Sequence, residues 1–278
     1  MVSFRGRIFA TAGGVFVLAV DIVASSSRGN MAFVSTPSAE IIVDIGLGSQ
    51  RAVLGAIEKR DKKPSLCLVT HIHTDHVRPC GIKVLVEKGI PVVGELATIK
   101  HIARMVAGED GLGLTIKPGR SYTVHDLTIT PFRLPHDCPT LGFLFEYDDG
   151  SKRTRLVWAT DLGSAPDHLL PYFIDADIVV VEANYDDELL DASSRHPLNK
   201  ERIRSDLGHL SNYQAGDFLS RIFQASTKLP KKVVLSHLSL DHNTDELARG
   251  TVQKALSFTG GCEILVASRL KPTPTVEI

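Results

Sequence analysis

Four short apolar runs in this chain stop abruptly at a group able to bind metal or carry a proton. Residues 66–70 end at His71, 156–160 at Asp161, 178–181 at Glu182 and 233–236 at His237. Runs of this length, rich in Val, Leu and Ile, read as strands covered on both faces, so helices must lie outside the sheets they form. In layered α/β folds, sites are built where such strands end and loops begin. Further strands are expected at 40–44, 91–94, 122–133, 140–147 and 262–267. Asp148-Asp149-Gly150 supplies the tight turn of a hairpin. Helices are expected at 49–59, 81–88, 96–106, 212–224 and 244–258, the fourth capped at Ser211-Asn212 and the fifth at Asn243 or Thr244. Strands cluster, with helices between the clusters, so the expected class is α/β (α+β). Its architecture is a four-layer αββα sandwich of two mixed β-sheets rather than a doubly wound nucleotide fold. Gly111-Leu112-Gly113 lacks the third glycine of a dinucleotide loop and reads as a turn.

Composition narrows the class. With 31 Lys plus Arg against 32 Asp plus Glu and 43% hydrophobic residues among 278, the chain can fill a core and is neither disordered nor a polycation. It contains no repeat or linker, so 1–278 is read as one domain, with 1–20 as leader and first strand. No uninterrupted run of 18 apolar residues is present, which argues against a membrane partner. Arg5, Arg7 and the apolar stretch 8–20 outline a secretory signal within 1–24. Gly13, Gly14 and Asp21 interrupt it without a small-x-small cleavage site, so a leader is preferred. Cys67, Cys80, Cys138 and Cys262 lack CxxC spacing, as expected of reduced thiols in a cytoplasmic protein. Composition leaves the oligomeric state open.

The chemistry concentrates in His71-Ile72-His73-Thr74-Asp75-His76. Three imidazoles and a carboxylate at a strand end can converge on one small volume, a donor set suited to Zn²⁺ and its transition-metal neighbours. Six residues cannot complete a coordination shell, but His136, Asp161 and His237 stand at other strand ends.

The ordered series His71-x-His73-x-Asp75-His76, His136, Asp161, His237 resembles the ligand set of the metallo-β-lactamase superfamily over nearly the whole chain. The resemblance implies that His71, His73 and His136 hold one divalent ion and that Asp75, His76 and His237 hold a second. Asp161 would bridge them, and Asp44 would orient a ligand. Ser25 to Asn30, Glu182-Ala183-Asn184, Gly208-His209-Leu210-Ser211-Asn212 and His237-Leu238-Ser239 are similar to motifs of the bacterial YycJ/WalJ-type exonuclease branch. That branch implies a two-metal phosphodiester hydrolase, a nuclease acting on DNA with a hydroxide shared between the ions as nucleophile. The ions are expected to be Zn²⁺, with Mn²⁺ as the other candidate. Asp75 and His209 are the expected catalytic groups, His209 donating a proton to the leaving oxygen or holding a phosphate oxygen. Glu182 and Asn184 are expected to hydrogen-bond ligands or line the cleft. Lys200 and Arg204, i and i+4 on a helix, would present charge to a phosphate backbone. Cys138, Phe218, Phe223 and Tyr213 read as packing residues, and His101, His125, His168, His196 and His242 as histidines outside the site. The competing readings are a small-molecule hydrolase (cyclic phosphodiesterase, lactonase or thioesterase) and a non-catalytic nucleic-acid-binding module.

Overall fold

The computed structural model describes residues 18–106, 113–257, 260–268 and 272–278. The apolar stretch 8–17, Gly111-Leu112 and Phe258 lie outside the described residues. Strands β1 (Ala19–Ser26), β2 (Gly29–Ser35) and β3 (Glu40–Val43) form an antiparallel meander. Next come α1 (Gln50–Ile57), β4 (Leu66–Leu68), α2 (Pro79–Glu87), β5 (Val92–Gly94), α3 (Leu96–Met105) and β6 (Gly113–Thr115). From β3 to β6 the strands are parallel, each joined to the next by a helical crossover.

The second half repeats the plan. Strands β7 (Tyr122–Val124), β8 (Leu127–Leu134), β9 (Thr140–Asp148) and β10 (Arg153–Ala159) are antiparallel. Then follow α4 (Leu170–Phe173), β11 (Ile178–Glu182), α5 (Asp187–Ala192), α6 (Pro197–Arg204), α7 (Asn212–Ala225), β12 (Lys232–Ser236), α8 (Asp245–Ala255) and β13 (Glu263–Val266). Strands β10 to β13 are parallel, and β14 (Val276–Glu277) returns to pair with β1 in the first sheet. Among the described residues both sheets have seven strands, ordered β14-β1-β2-β3-β4-β5-β6 and β13-β12-β11-β10-β9-β8-β7.

Three apolar layers fix the stacking. Val34, Phe143, Phe145, Trp158, Val180 and Val234 fill the space between the sheets. Ile42, Val69 and Val92 pack outward against Val53 of α1, Leu85 of α2 and Ile102 of α3. On the other outer face, Val179, Val181 and Leu235 meet Phe218 and Ile222 of α7 and Val252 of α8. Strand β11 alternates between two apolar layers and is buried throughout, which explains its unbroken run of apolar residues.

The αββα expectation agrees with this architecture, with local differences. The stretch 122–133 is two strands, parted by a turn at His125, whose φ is 55°. Asp126 in that turn accepts hydrogen bonds from Thr36 Oγ1 and the Ser38 N–H, a long-range tie invisible to local pattern. Strands β2, β6 and β14 and helices α4 and α5 lie outside the expected elements; α6, the helix on which Lys200 and Arg204 were placed, buries none of its residues and so lacks an apolar stripe. Both anticipated caps form: Ser211 and Gln214 make a capping box on α7, and Thr244 accepts from the Leu247 N–H on α8.

Ser211→Ala should cost about 1 kcal/mol by leaving the Gln214 N–H without its acceptor. Thermal unfolding should show the midpoint falling by about 2–4 °C; no change would show that water replaces the cap at no cost.

Candidate metal centre

Strand β3 ends in Asp44, whose backbone turns left-handed (φ 62°) and swings the carboxylate back under the strand ends. Asp44 Oδ1 accepts from the Thr70 N–H (2.8 Å), both oxygens lie 2.9 Å from Thr70 Oγ1, and Oδ2 is 2.7 Å from His76 Nδ1. A carboxylate at Nδ1 holds the proton there and leaves Nε2 as the lone-pair atom. Thr70 Oγ1 does the same for His71, lying 3.0 Å from its Nδ1. His71 Nε2 is buried and has no hydrogen-bond partner among the described residues.

The loop between β4 and α2 is pinned through its backbone. Asn30 N–H donates to Asp75 O (2.7 Å), and Ile45 N–H donates to His76 O (2.8 Å). A Cβ on Gly46 would fall 1.7 Å from Asp75 O, so only glycine allows this approach. The Asn30 amide also reaches His76 Nε2 (3.0 Å) and Asp75 Oδ2 (3.4 Å).

The second sheet supplies the facing groups. His136 Nδ1 is fixed by Gly208 O (3.1 Å), which turns Nε2 to within 3.4 Å of His73 Nδ1. Asp161 closes β10 at the position where Asp44 closes β3, also with φ 62°. Its Oδ2 lies 3.1 Å from His76 Nε2 and its Oδ1 3.5 Å from His237 Nε2. His237 follows β12 with φ 54°; its Nε2 is 3.3 Å from Asp75 Oδ2, and its Nδ1 is 3.0 Å from Glu182 Oε1. The Asn184 amide donates to His237 O (2.7 Å), and the His237 N–H donates to Ser25 Oγ (2.7 Å).

Donor atoms of His71, His73, His136 and Cys138 lie within 4.8 Å of one another, as do those of Asp75, His76 and His237, and of His71, His76 and Asp161. This arrangement fits divalent cations. The His71 nitrogen is orphaned, the His73 and His136 nitrogens face each other, and outer ring atoms are held by Thr70, Gly208, Asp44 and Glu182. Imidazole and carboxylate donors suit a transition ion.

Charge divides the centre. Burial, reinforced by His76, holds His71 well below the ordinary imidazole range, and burial also lowers His136. Burial acts downward on His76 too, but Asp161, Asp44 and Asp75 outweigh it and raise that group well above its usual range. His237 is likewise pushed up to about 10, burial being overcome by Asp161, Asp75 and Glu182. Burial would raise Asp161, yet His237 and His76 hold it well below the carboxylate range.

The seven expected ligand residues therefore meet at one inter-sheet edge, with Asp44, Glu182 and Asn184 bonded to three of their rings or backbones. His209 joins them, its Nδ1 2.7 Å from Glu182 Oε1. Two expected substrate contacts do not reach the cluster. Lys200 Nζ donates to the carbonyls of Asp191 and Ser193 (both 2.7 Å), and Arg204 pairs with Asp191 (2.6 Å), so both tie α6 to α5. Tyr213, read as a packing residue, is 70% exposed, whereas Phe218 and Phe223 are buried. Cys138 Sγ is 3.9 Å from His73 Nε2, the outer atom of that ring, and burial pushes its thiol up, away from thiolate chemistry. Two further groups sit at the cluster. Asp137 Oδ1 is 3.1 Å from His73 Nε2, and its Oδ2 accepts from Arg202. Asp137 directly follows His136, an expected ligand, the one signal that could have flagged it; Arg202 had only its place in a basic stretch.

This fold, with His and Asp donors gathered where its two sheets meet, is that of the metallo-β-lactamase class. The chain belongs to the beta-lactamase superfamily domain family, which matches residues 40–237. Exodeoxyribonuclease WalJ of Streptococcus pneumoniae serotype 2 is 31% identical over 246 residues, covering 85% of this chain and 87% of that protein. Exodeoxyribonuclease YycJ of Bacillus anthracis is also 31% identical over 246 residues, covering 86% and 89%. Among solved structures, the metallo-beta-lactamase fold protein YhfI from Bacillus subtilis superposes with a TM-score of 0.69 at 18% identity. The match covers 95% of this chain and 100% of that one.

Asp44→Asn removes the charge that fixes the His76 ring. Divalent-ion affinity should fall about 10–100-fold, measured by calorimetry on protein that still melts cooperatively; unchanged affinity would leave Asp44 a purely structural residue.

Proposed function

We propose that this chain is a two-metal phosphodiester hydrolase that removes nucleotides from DNA as an exonuclease. The observation that carries this is the convergence on Asp161, itself enclosed, of donor atoms from His71 and His76 and from Glu182, His209 and His237. His71, His73 and His136 would hold one ion and Asp75, His76 and His237 the other, with Asp161 as the carboxylate shared between them. Zn²⁺ suits the histidine-rich set, and Mn²⁺ is the alternative. Divalent ions bound there acidify water near neutral pH and neutralise charge building on phosphoryl oxygens.

The protein's own groups handle protons and position. Burial lowers His209, but Glu182 outweighs it and raises the ring above its usual range, favouring the protonated form. With Nδ1 held by Glu182, Nε2 is the atom available to protonate the leaving oxygen or hold a phosphate oxygen. Asp75, kept ionised by His76 and His237 against the effect of burial, is placed to accept the proton of the attacking water. Both relatives are named exodeoxyribonucleases, which directs the reading to DNA rather than to lactones or thioesters. The complete ligand set speaks against a non-catalytic module. We read both halves as one catalytic unit, since each sheet contributes ligands. Among the described residues no helix is long and apolar enough to cross a membrane. Four unpaired cysteines agree with a cytoplasmic location.

Elemental analysis should find close to two ions per chain. Chelation should abolish release of nucleotides from a DNA substrate, and Asp161→Asn should lose more than the roughly 100-fold typical of an outer-sphere change. A chain that holds no divalent ion, or an Asp161→Asn variant with full turnover, would sink the assignment.

The two clusters should also differ in pH dependence. His71 and His136 are neutral at pH 7 and compete little with a cation, whereas His76 and His237 are protonated in the metal-free chain. A raised histidine adds stability to the metal-free fold below its unfolded value of 6.5, and that contribution is lost as pH rises through about 10. Metal binding displaces those protons and runs the other way, its affinity rising across the same window. Calorimetric titration at several pH values should therefore show one site nearly flat above pH 6.5 and one whose affinity keeps rising with pH until it levels off near 10, with proton release. Equal slopes would contradict the division.

A further inference from the structure

We propose that Arg202, held by Asp137, is the residue that grips a phosphate of the DNA strand next to the scissile bond. The inference rests on the nuclease reading above. Arg202 lies in the last turn of α6, and its guanidinium bonds Asp137 Oδ2. The other Asp137 oxygen is 3.1 Å from His73 Nε2 and 3.5 Å from His136 Nε2, so a single carboxylate separates the guanidinium from two rings of the cluster.

The backbone around Arg202 is built to keep it there. Gly208 packs so closely that a Cβ would fall 2.2 Å from Arg202 O, and the His209 N–H donates to Ile203 O (2.9 Å). Arg202 and His209 thus stand at the two ends of one fixed turn, one bonded to Asp137 and the other to Glu182, both beside the cluster. The guanidinium is 67% exposed and uses one of its nitrogens on Asp137. Its remaining N–H groups form the planar fork that matches two phosphate oxygens. An exposed ion pair with Asp137 is worth little in itself and does not prevent a phosphate from sharing the cation. Lys200 and Arg204, the other cations of this helix, are committed to α5. Leu207 and Tyr213, flanking His209 in the chain, are 51% and 70% exposed and offer apolar surface to a nucleotide that a small phosphodiester would not cover.

The test uses the full-length protein, a fluorescein-labelled twelve-residue oligothymidylate and bis-p-nitrophenyl phosphate. Arg153→Gln, an exposed arginine on the β9–β10 hairpin, serves as the charge control. Anisotropy on chelator-treated protein should show Arg202→Gln binding the oligonucleotide about tenfold more weakly than Arg153→Gln. The slope of log affinity against log salt should be shallower by about 0.7. On metal-loaded protein, KM for the oligonucleotide should rise about tenfold in Arg202→Gln, with kcat within about threefold. The loss of kcat/KM should be much smaller on bis-p-nitrophenyl phosphate, and Arg202→Lys should recover the salt slope. If Arg202→Gln matches Arg153→Gln in slope and KM, the inference is overturned. It is also overturned if kcat falls in parallel on both substrates with KM unchanged, because Arg202 would then act only through Asp137 and His73. If the unaltered protein hydrolyses bis-p-nitrophenyl phosphate but leaves the oligonucleotide intact, the nuclease reading fails and takes the inference with it. Cleavage of the oligonucleotide by Arg202→Gln with unaltered parameters removes the inference alone.

Discussion

A carboxylate sealed from water where the two sheets meet organises the rest of this molecule. Asp161 is 1% exposed, and an isolated carboxylate at such a depth would carry a desolvation penalty of several kcal/mol. Its neighbours supply the compensating positive charge: His76 and His237 bind protons in the metal-free chain, and a cation between these rings would serve the same purpose. Asp44 and Glu182 extend the pattern outward, each fixing the far side of an imidazole that faces Asp161. The result is alternating layers of negative, positive and negative groups. Removing any one leaves a buried charge uncompensated, which makes the cluster a cooperative unit rather than a sum of contacts.

The two halves of the chain solve the same geometric problem in the same way. Each begins with an antiparallel meander and passes into a parallel run, at β3 and at β10, and at each transition an aspartate adopts φ 62°. A left-handed residue at a strand end reverses the side chain's direction, so it returns to the sheet edge instead of continuing into solvent. Aspartate tolerates that conformation better than a β-branched residue, at a cost that the surrounding hydrogen bonds offset. His237 repeats the device after β12. Strain therefore collects at three of the positions that shape the centre; the hydrogen bonds of Thr70 hold it at Asp44, and those of Asn184 and Ser25 hold it at His237.

Much of this was legible before any coordinates, for identifiable reasons. Strands buried on both faces, such as β11 and β12, announce themselves as apolar runs, and the polar residue that ends each run is by construction at the sheet edge. The clustered His and Asp residues are legible because metal chemistry restricts candidate donors to few types and the 71–76 segment packs four of them together. Contacts that depend on distant backbone were not. Nothing local marks Gly46 as the residue against which Asp75 O must pack, or Gly208 O as the acceptor for His136. Nor does the order of residues reveal that 19–35 folds as a hairpin carrying Asn30 to the cluster, because Ser25, Ser26 and Asn30 are buried polar groups without apolar alternation. Tyr213 is misplaced because apolar type is not position: it stands about 140° around α7 from Phe218, on the face it shares with exposed Asp217, while Ala215, Phe218 and Ile222 line the core side.

The misplacement of Lys200 and Arg204 shows where pattern and geometry part. Charges at i and i+4 do share a face of α6, but that face lies on α5, where the carbonyls of Asp191 and Ser193 and the Asp191 carboxylate consume both cations. Arg202 stands two residues from each, about 200° around the helix, and so projects from the opposite side, towards Asp137. A helix with no buried residue has no hydrophobic stripe to reveal its orientation, so its sequence cannot distinguish a face that anchors from a face that serves the site. Orientation is set instead by its ends. Pro197 starts the helix after the His196 cap, and the Ser205 to His209 turn stops it against Gly163, whose own packing on Gly208 leaves no room for a Cβ. Two glycines in backbone contact thus fix the phase of α6, and that phase, more than the local density of positive charge, selects which of its cations faces the cluster.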